Sequence, residues 1–300
     1  HSLVGASDDY RNRFIHELPQ TFNPDRFDAV KIARLAKLAG MKYVVFTAKH
    51  HSGFCMWDTN TTDFNIMNTT YGRDLLKDYV RAVRGEGLAV GLYYSPEDFH
   101  FLHTHGQVIR RRFPEPIPRD VMQQYTDYVA EQCTELMTNY GKIDVLFFDG
   151  GEGPLQEKSK EVSWNLQPDV LVTRGAIETP EQTIPGIASE EPFEACITMG
   201  TQWQYKPTND MLKSGSRLIE ILIETRAKGG ALLLNIGPAP DGSLPSEQET
   251  RLREVAAWYF INREAVDEVR PWILTNEDDI WFTKRKNSNT VYAFITGAPD

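Results

Sequence analysis

The residues with chemistry to offer stand at the ends of apolar runs. Asp149 closes "DVLFF" and is followed by Gly150 and Gly151. A carboxylate at the end of a buried strand, beside glycines that let a ligand approach closely, suits a nucleophile or a base. The same placement fits an Asp that caps the next helix or opens a turn, and spacing alone leaves both readings open. Glu194 stands in "SEEPFEACITMG", with Glu190 and Glu191 as competitors, any of which could be a surface charge. Two carboxylates converging from different strand ends is the arrangement glycoside hydrolysis uses, one as nucleophile and one as general acid.

The stretch "YVVFTAKHHSGFCMW" begins as a buried strand and ends in Lys49, His50 and His51, with Trp57 beyond. On a strand, adjacent histidines point to opposite faces unless the chain has already bent. A shared metal ion is therefore not expected, and this strand end does not carry the His-x-His of a metal-dependent hydrolase barrel. Neutral histidine carries one donor and one acceptor, which suits hydrogen bonding to a polyol. For either histidine alone a structural role is at least as good a reading. Trp57, Trp203, Tyr93, Tyr94 and Phe147 could wall the same rim, since sugars present apolar C–H faces on which amphipathic rings stack. Each of these rings taken singly is more often core than site. His100, His103 and His105 fall on an expected loop and receive no role.

These positions need a frame. Between Asn23 and about Tyr259 short apolar runs alternate with amphipathic helices, the signature of βα units and a parallel sheet. The helical spacing is carried by Ile32, Leu35, Ala36 and Ala39, by Leu76, Tyr79, Val80 and Val83, by Leu218, Ile221, Leu222 and Thr225, and by Leu252, Val255, Ala256 and Tyr259. Asn23 with Pro24 reads as a helix start, Ser246 as an N-cap, and Gly40, Gly85 and Gly229 as helix ends. "YVVFTAKH", "LAVGLYYS", "IDVLFFDG", "DVLVTR" and "ALLLNIG" read as strands covered on both faces, with a further short one near "EACITMG". Their C-terminal ends carry His50 and His51, Ser95 and Glu97, Asp149, Arg174 and Asn235. In a parallel barrel that is the face where sites are built, which puts Lys49, His50 and His51 at its rim. After Tyr259, "IWFT" and "TVYAFIT" around the polar "KRKNSN" read as an antiparallel hairpin.

The chain has 300 residues, 41% of them hydrophobic, enough for one large core with a small appendage. Its 32 Lys and Arg against 42 Asp and Glu give a formal charge of −10, and Arg110, Arg111 and Arg112 form the main basic block. Binding to a nucleic-acid backbone is not expected. No apolar run approaches the roughly 20 residues of a membrane helix, and no secretory leader is read in the first residues. Cys55, Cys133 and Cys196 lack the spacing of a disulfide framework or a zinc site.

Taken together, "TAKHHSGFCMWDT", "VGLYYSPEDF", "DVLFFDGG", "FEACITMGTQWQY" and "GGALLLNIGPAPDG", in this order and spacing, resemble the catalytic domain of glycoside hydrolase family 29, the retaining α-L-fucosidases, from about Phe22 to Trp272. The resemblance implies Asp149 as nucleophile and Glu194, preceded by the aromatic Phe193, as general acid/base. It implies His50, His51, Tyr93 and Arg174 as sugar-binding residues, Phe147 where some members carry Trp, and Trp203 as the aromatic of a "WGY" motif. Ser52 departs from the family's usual Asp, and Asp9 and Tyr10 stand where many members have a Glu-Trp pair.

The implied fold is a TIM-like (β/α)8 barrel over residues 1–272, its first strand expected upstream of His1, followed by the start of a C-terminal β-sandwich over 273–300. The implied reaction is a double displacement with carboxyl groups roughly 5–5.5 Å apart and a raised pKa at the acid, needing no metal or cofactor. A fucosylated glycan is the implied substrate, with linkage preference set by loops such as "SPEDFHFLHTHGQVIRRRFPEP". A secreted, periplasmic or lysosomal setting follows from the substrate class alone. A glycosidase for another sugar would lack a tight apolar surface for the C5 methyl group. A non-catalytic carbohydrate-binding barrel would lose one carboxylate, and this chain carries both.

Overall fold

The computed structural model describes residues 3–109 and 116–297. Arg110, Arg111 and Arg112 lie outside them. The described chain is an α/β protein whose strands form two parallel sheets and one antiparallel sheet. It divides into two compact units, one within His1–Val30 and Tyr43–Ala176, the other within Lys31–Lys42 and Ile177–Asp300.

The first unit holds β1 (Tyr43–Lys49), β2 (Ala89–Tyr94), β3 (Val145–Phe148) and β4 (Leu171–Thr173), paired in that order and all parallel. Parallel neighbours need crossovers. These are supplied by α4 (Leu75–Gly85), α5 (Phe99–Thr104) with α6 (Arg119–Asn139), and α7 (Pro154–Leu166); the short α1 (Asp8–Asn12) and α2 (Leu18–Thr21) precede β1, and α3 (Ala29–Leu38) has most of its length in the second unit. Asp74 caps α4 by accepting the Lys77 N–H at 2.9 Å, and the Leu76, Tyr79, Val80 and Val83 stripe is buried as its spacing predicts. β3 is buried throughout, whereas β1 is half-covered along most of its length. Asn23 and Pro24 do not open a helix. They form a turn, with Asp25 N–H on the Asn23 carbonyl at 2.9 Å, because Phe22 and Phe27 turn inward to pack with Phe46 and Phe54.

The second unit pairs β5 (Glu194–Thr198) with β6 (Ala231–Asn235), again parallel, across α8 (Gly215–Ala227). Ala39, Met199, Leu218, Leu252 and Val255 form one of its cores and bring α8 together with α9 (Ser246–Asn262). Ser246 is the first helical residue of α9, with Pro245 at the N-cap. Gly40 and Gly229 adopt left-handed φ of +81° and +95° as expected at helix ends. At α4 that role falls to Gly87, with φ +74°, while Gly85 is still helical. The expected hairpin is present as β8 (Ile280–Arg285) and β9 (Val291–Ile295), and β7 (Val269–Glu277) joins it in a three-stranded antiparallel sheet. No helix among the described residues is long and apolar enough to cross a membrane.

Candidate active site

The register of the first sheet decides which side chains share a face. Thr47, Tyr93, Phe147 and Thr173 lie abreast in one row, and Lys49, Tyr94 and Phe148 in the next. Alternation sends the two rows to opposite sides. Tyr93 stacks on Phe147 with ring centroids 5.2 Å apart, His50 stacks on Tyr93 at 5.5 Å, and the Arg174 guanidinium lies 5.8 Å from the Phe147 centroid. Four successive strand ends thus present His50, Tyr93, Phe147 and Arg174 as one layered row.

Lys49 belongs to the other row and leaves the rim. Its ammonium is fully buried, 3.0 Å from the equally buried Asp98, 2.8 Å from Gln132 Oε1 and 3.3 Å from the Tyr94 hydroxyl. Tyr128 donates to the same Asp98 oxygen at 3.1 Å. Burial alone would raise the Asp98 pKa, but the Lys49 charge and the Phe101 N–H outweigh it and hold it below the ordinary value. A buried pair this fully hydrogen-bonded fixes the end of β1. The same region makes β1 end at Lys49, so strand alternation no longer governs the two histidines. His50 and His51 both turn toward Asp149.

His51 is 3% exposed and stands between two carboxylates. Nε2 lies 3.4 Å from Asp149 Oδ2, and Nδ1 lies 2.5 Å from Ser95 Oγ and 3.3 Å from Glu97 Oε2. The Ser95 hydroxyl donates its proton to the Glu97 carbonyl at 2.7 Å, so it presents an oxygen lone pair to His51 Nδ1. The His51 carbonyl accepts the Phe99 N–H at 2.7 Å, tying the turn to α5.

Asp149 follows β3. Oδ2 accepts the Tyr93 hydroxyl at 2.5 Å, and Oδ1 accepts Arg174 Nε at 2.9 Å. Burial pushes its pKa up, but hydrogen bonds from His51 and Tyr93 and the Arg174 charge prevail and hold it well below the usual carboxylate range. The carboxylate is anionic at any ordinary pH and remains 20% exposed. This is the state a nucleophile needs and an acid cannot use. Gly150 and Gly151 serve this packing. A Cβ on Gly150 would come 2.9 Å from His51 Cε1, and one on Gly151 2.8 Å from Pro96 Cβ, so protein groups, as well as any ligand, require them. Arg174 holds φ +35°, a left-handed value for a non-glycine residue, as strained residues at functional sites do.

Donor atoms of His50, His51 and Asp149 lie within 4.8 Å of one another, a set that could hold a metal ion. Both oxygens of that carboxylate already face donors from Arg174, Tyr93 and His51, and the guanidinium opposes a second cation.

The second unit carries Glu194 and Trp203. Glu194 opens β5, is 2% exposed, and donates its N–H to the Glu178 carbonyl at 2.9 Å. Glu190 and Glu191 are exposed, so the buried member of the three acids is Glu194. Phe193 beside it packs so tightly that a Cβ on Gly230 would lie 2.3 Å from its ring. Trp203 sits half-buried in the loop after β5.

Trp57 is not brought to Asp149. It is fully buried and donates its indole N–H to Glu135 at 2.9 Å. Tyr94 likewise faces inward, donating to Gln132 at 2.8 Å. Asp9 and Tyr10 lie exposed in α1. Sequence reading missed the Glu97–Ser95–His51 contact and the Lys49–Asp98 pair. The signal for the pair was present, since a lysine inside so apolar a strand requires a buried acid.

A family model described as Alpha-L-fucosidase matches residues 5–264. The plasma alpha-L-fucosidase of Rattus norvegicus is 31% identical over 309 residues, covering 93% of this chain and 65% of its own. The alpha-L-fucosidase of Dictyostelium discoideum is 29% identical over 300 residues, covering 91% and 63%. Among solved structures, alpha-L-fucosidase isoenzyme 1 from Paenibacillus thiaminolyticus has a TM-score of 0.83 at 34% identity, covering 94% of this chain and 74% of that one. The Thermotoga maritima alpha-fucosidase, in complex with a mechanism-based inhibitor, has a TM-score of 0.77 at 30% identity, covering 94% and 67%. This chain spans about two thirds of the length of these curated relatives. With the family model matching from residue 5 to residue 264, the chain belongs to the α-L-fucosidase family, glycoside hydrolase family 29.

Proposed function

We propose that this chain is the catalytic part of a retaining α-L-fucosidase that removes terminal α-L-fucose from fucosylated glycans. The observation that carries the reading is Asp149, a partly exposed carboxylate kept anionic by His51, Tyr93 and Arg174. In this account Asp149 attacks the anomeric carbon while Glu194 protonates the departing oxygen. Glu194 then takes a proton from the water that releases the sugar from Asp149. His50, His51, Tyr93 and Arg174 hold the hydroxyls, and Phe147 and Trp203 supply apolar surface. The charge of Arg174 and the hydrogen bonds on Asp149 must yield as the carboxylate becomes an ester, so the same groups stabilise it again as a leaving group.

The family resemblance supports a TIM-like (β/α)8-type barrel within residues 1–272 and a C-terminal β domain that includes residues 273–300. The substrate class places the enzyme in a secreted, periplasmic or lysosomal setting, which relatives named plasma and tissue fucosidases support.

The test is free fucose release from an aryl α-L-fucoside and from α-1,2-, α-1,3/4- and α-1,6-linked oligosaccharides, with Asp149→Ala and Glu194→Ala in parallel. Added azide should rescue the first variant to give the β-fucosyl azide and the second to give the α-azide. Silence across the panel, or the same azide from both variants, would refute the reading.

A further inference from the structure

We propose that Glu97 is a positioning residue of the reaction, keeping a proton on Nδ1 of His51 so that the ring turned toward Asp149 carries both of its N–H groups. The inference rests on the reading of Asp149 as nucleophile and concerns the group that addresses it. The Ser95 hydroxyl proton is committed to the Glu97 backbone carbonyl at 2.7 Å. His51 Nδ1 therefore faces two acceptors, Ser95 Oγ at 2.5 Å and Glu97 Oε2 at 3.3 Å. A bare nitrogen there would set lone pairs against one another, so Nδ1 is the donor, an assignment made from the network. On the opposite edge Nε2 stands 3.4 Å from Asp149 Oδ2, a third acceptor. A single proton satisfies one edge of the ring, and two satisfy both.

The ring is held where these contacts apply. His51 is 3% exposed, and its ring packs against those of Phe99 at 5.7 Å and His50 at 4.5 Å. A Cβ on Gly150 would lie 2.9 Å from His51 Cε1 and 3.4 Å from Glu97 Oε2, so the glycine lets both groups sit where they do. The charged groups around the ring come from three strand ends: Glu97 after β2, Asp149 after β3, and Arg174 after β4, which reaches Asp149 Oδ1 at 2.9 Å. With both protons on His51, two positive charges stand against two negative ones. Attack on the anomeric carbon turns Asp149 into a neutral ester as Glu194 gives its proton to the leaving oxygen. Glu97 is then the carboxylate that balances His51. The Nε2 proton stays in place for a sugar hydroxyl and for Asp149 when it departs, and His51 transfers no proton in either step.

The experiment is a long-range nitrogen–proton NMR spectrum of the full chain with isotope-labelled histidine at neutral pH, the His51 signals being assigned by their loss in His51→Gln. Wild type should show both His51 nitrogens protonated. Glu97→Gln keeps the size of the side chain and removes its charge, and should leave one nitrogen protonated. Its kcat/KM for an aryl fucoside should fall about tenfold, the worth of one charged hydrogen bond, with a melting temperature close to wild type. Glu97→Ala, which deletes a side chain already 30% exposed, should change the spectrum in the same way and gives the comparison should the first variant not fold. Glu152→Gln removes an exposed charge from the loop after β3 and should leave spectrum and kinetics unchanged. The spectrum needs no turnover, so a chain that released no fucose would sink the catalytic reading and still report on His51. A singly protonated His51 in wild type, a doubly protonated one in both Glu97 variants, or an equal change with Glu152→Gln would overturn the proposal.

Discussion

The imidazole of His51 stands between two carboxylates, 3.4 Å from Asp149 on one side and 3.3 Å from Glu97 on the other, with Ser95 alongside. The residue that would receive the sugar is thus set by groups contributed by three neighbouring strand ends, and each of those groups can be removed singly.

Tyr93 donates its hydroxyl to Asp149 at 2.5 Å. A hydrogen bond to a charged group is worth about 1.5–3 kcal/mol. Tyr93→Phe should therefore lower kcat/KM by about 10–100-fold while leaving the melting temperature nearly unchanged. Steady-state kinetics with an aryl fucoside and a thermal melt check both halves.

Arg174 helps hold Asp149 below its ordinary value of 3.8. A carboxylate with a depressed folded-state pKa lends stability above its unfolded value and loses it as pH falls through the folded one. Arg174→Gln raises the folded value, so the acidic limb of the kcat/KM profile should move to higher pH. A profile that falls in height without moving would show that Arg174 binds substrate and does not tune Asp149.

Gly150 has φ +75°, and a Cβ there would approach His51 Cε1 to 2.9 Å. Gly150→Ala should cost about 1–2 kcal/mol from the left-handed backbone alone. It should also displace His51, so activity should fall further than the melting temperature accounts for. Urea denaturation and kcat/KM on the same preparation test this.

The Lys49–Asp98 pair is fully buried and its members lie 3.0 Å apart. Removing one partner of such a pair typically costs about 3–5 kcal/mol, while replacing both by apolar groups is often close to neutral. Asp98→Asn should therefore destabilise strongly, and Lys49→Met with Asp98→Leu should recover much of the loss in urea denaturation. Because the Asp98 pKa is lowered, the stabilisation it provides is present above its unfolded value near 3.8 and disappears as pH falls below it.

Both oxygens of Asp149 are engaged by proton donors, one of them the Arg174 guanidinium. Exhaustive chelation should leave fucose release unchanged. An activity lost to chelator and restored by a divalent cation would mean that His50, His51 and Asp149 hold a metal.

Much of this was legible in the sequence. Continuous apolar runs marked the strands, and the residues that end them, His50, Tyr93, Asp149 and Arg174, do form the cluster. Alternation correctly separates Tyr93 from Tyr94, but choosing which faces the site needed the register with Phe147. Lys49 and Trp57 looked like rim residues because polarity and aromaticity at a strand end carry no direction; Asp98 and Glu135, distant in sequence, draw them inward. Asn23 and Pro24 failed as a helix start because packing of Phe22 and Phe27 overrode a local preference.

The most direct measurement of the central claim is covalent trapping. The protein would be inactivated with a 2-fluoro-fucosyl fluoride, digested, and its peptides sequenced by mass spectrometry. One fluorofucosyl group per chain, on Asp149, is the expected result. A label on another carboxylate, or inactivation without any covalent label, would contradict the assignment of Asp149 as the nucleophile.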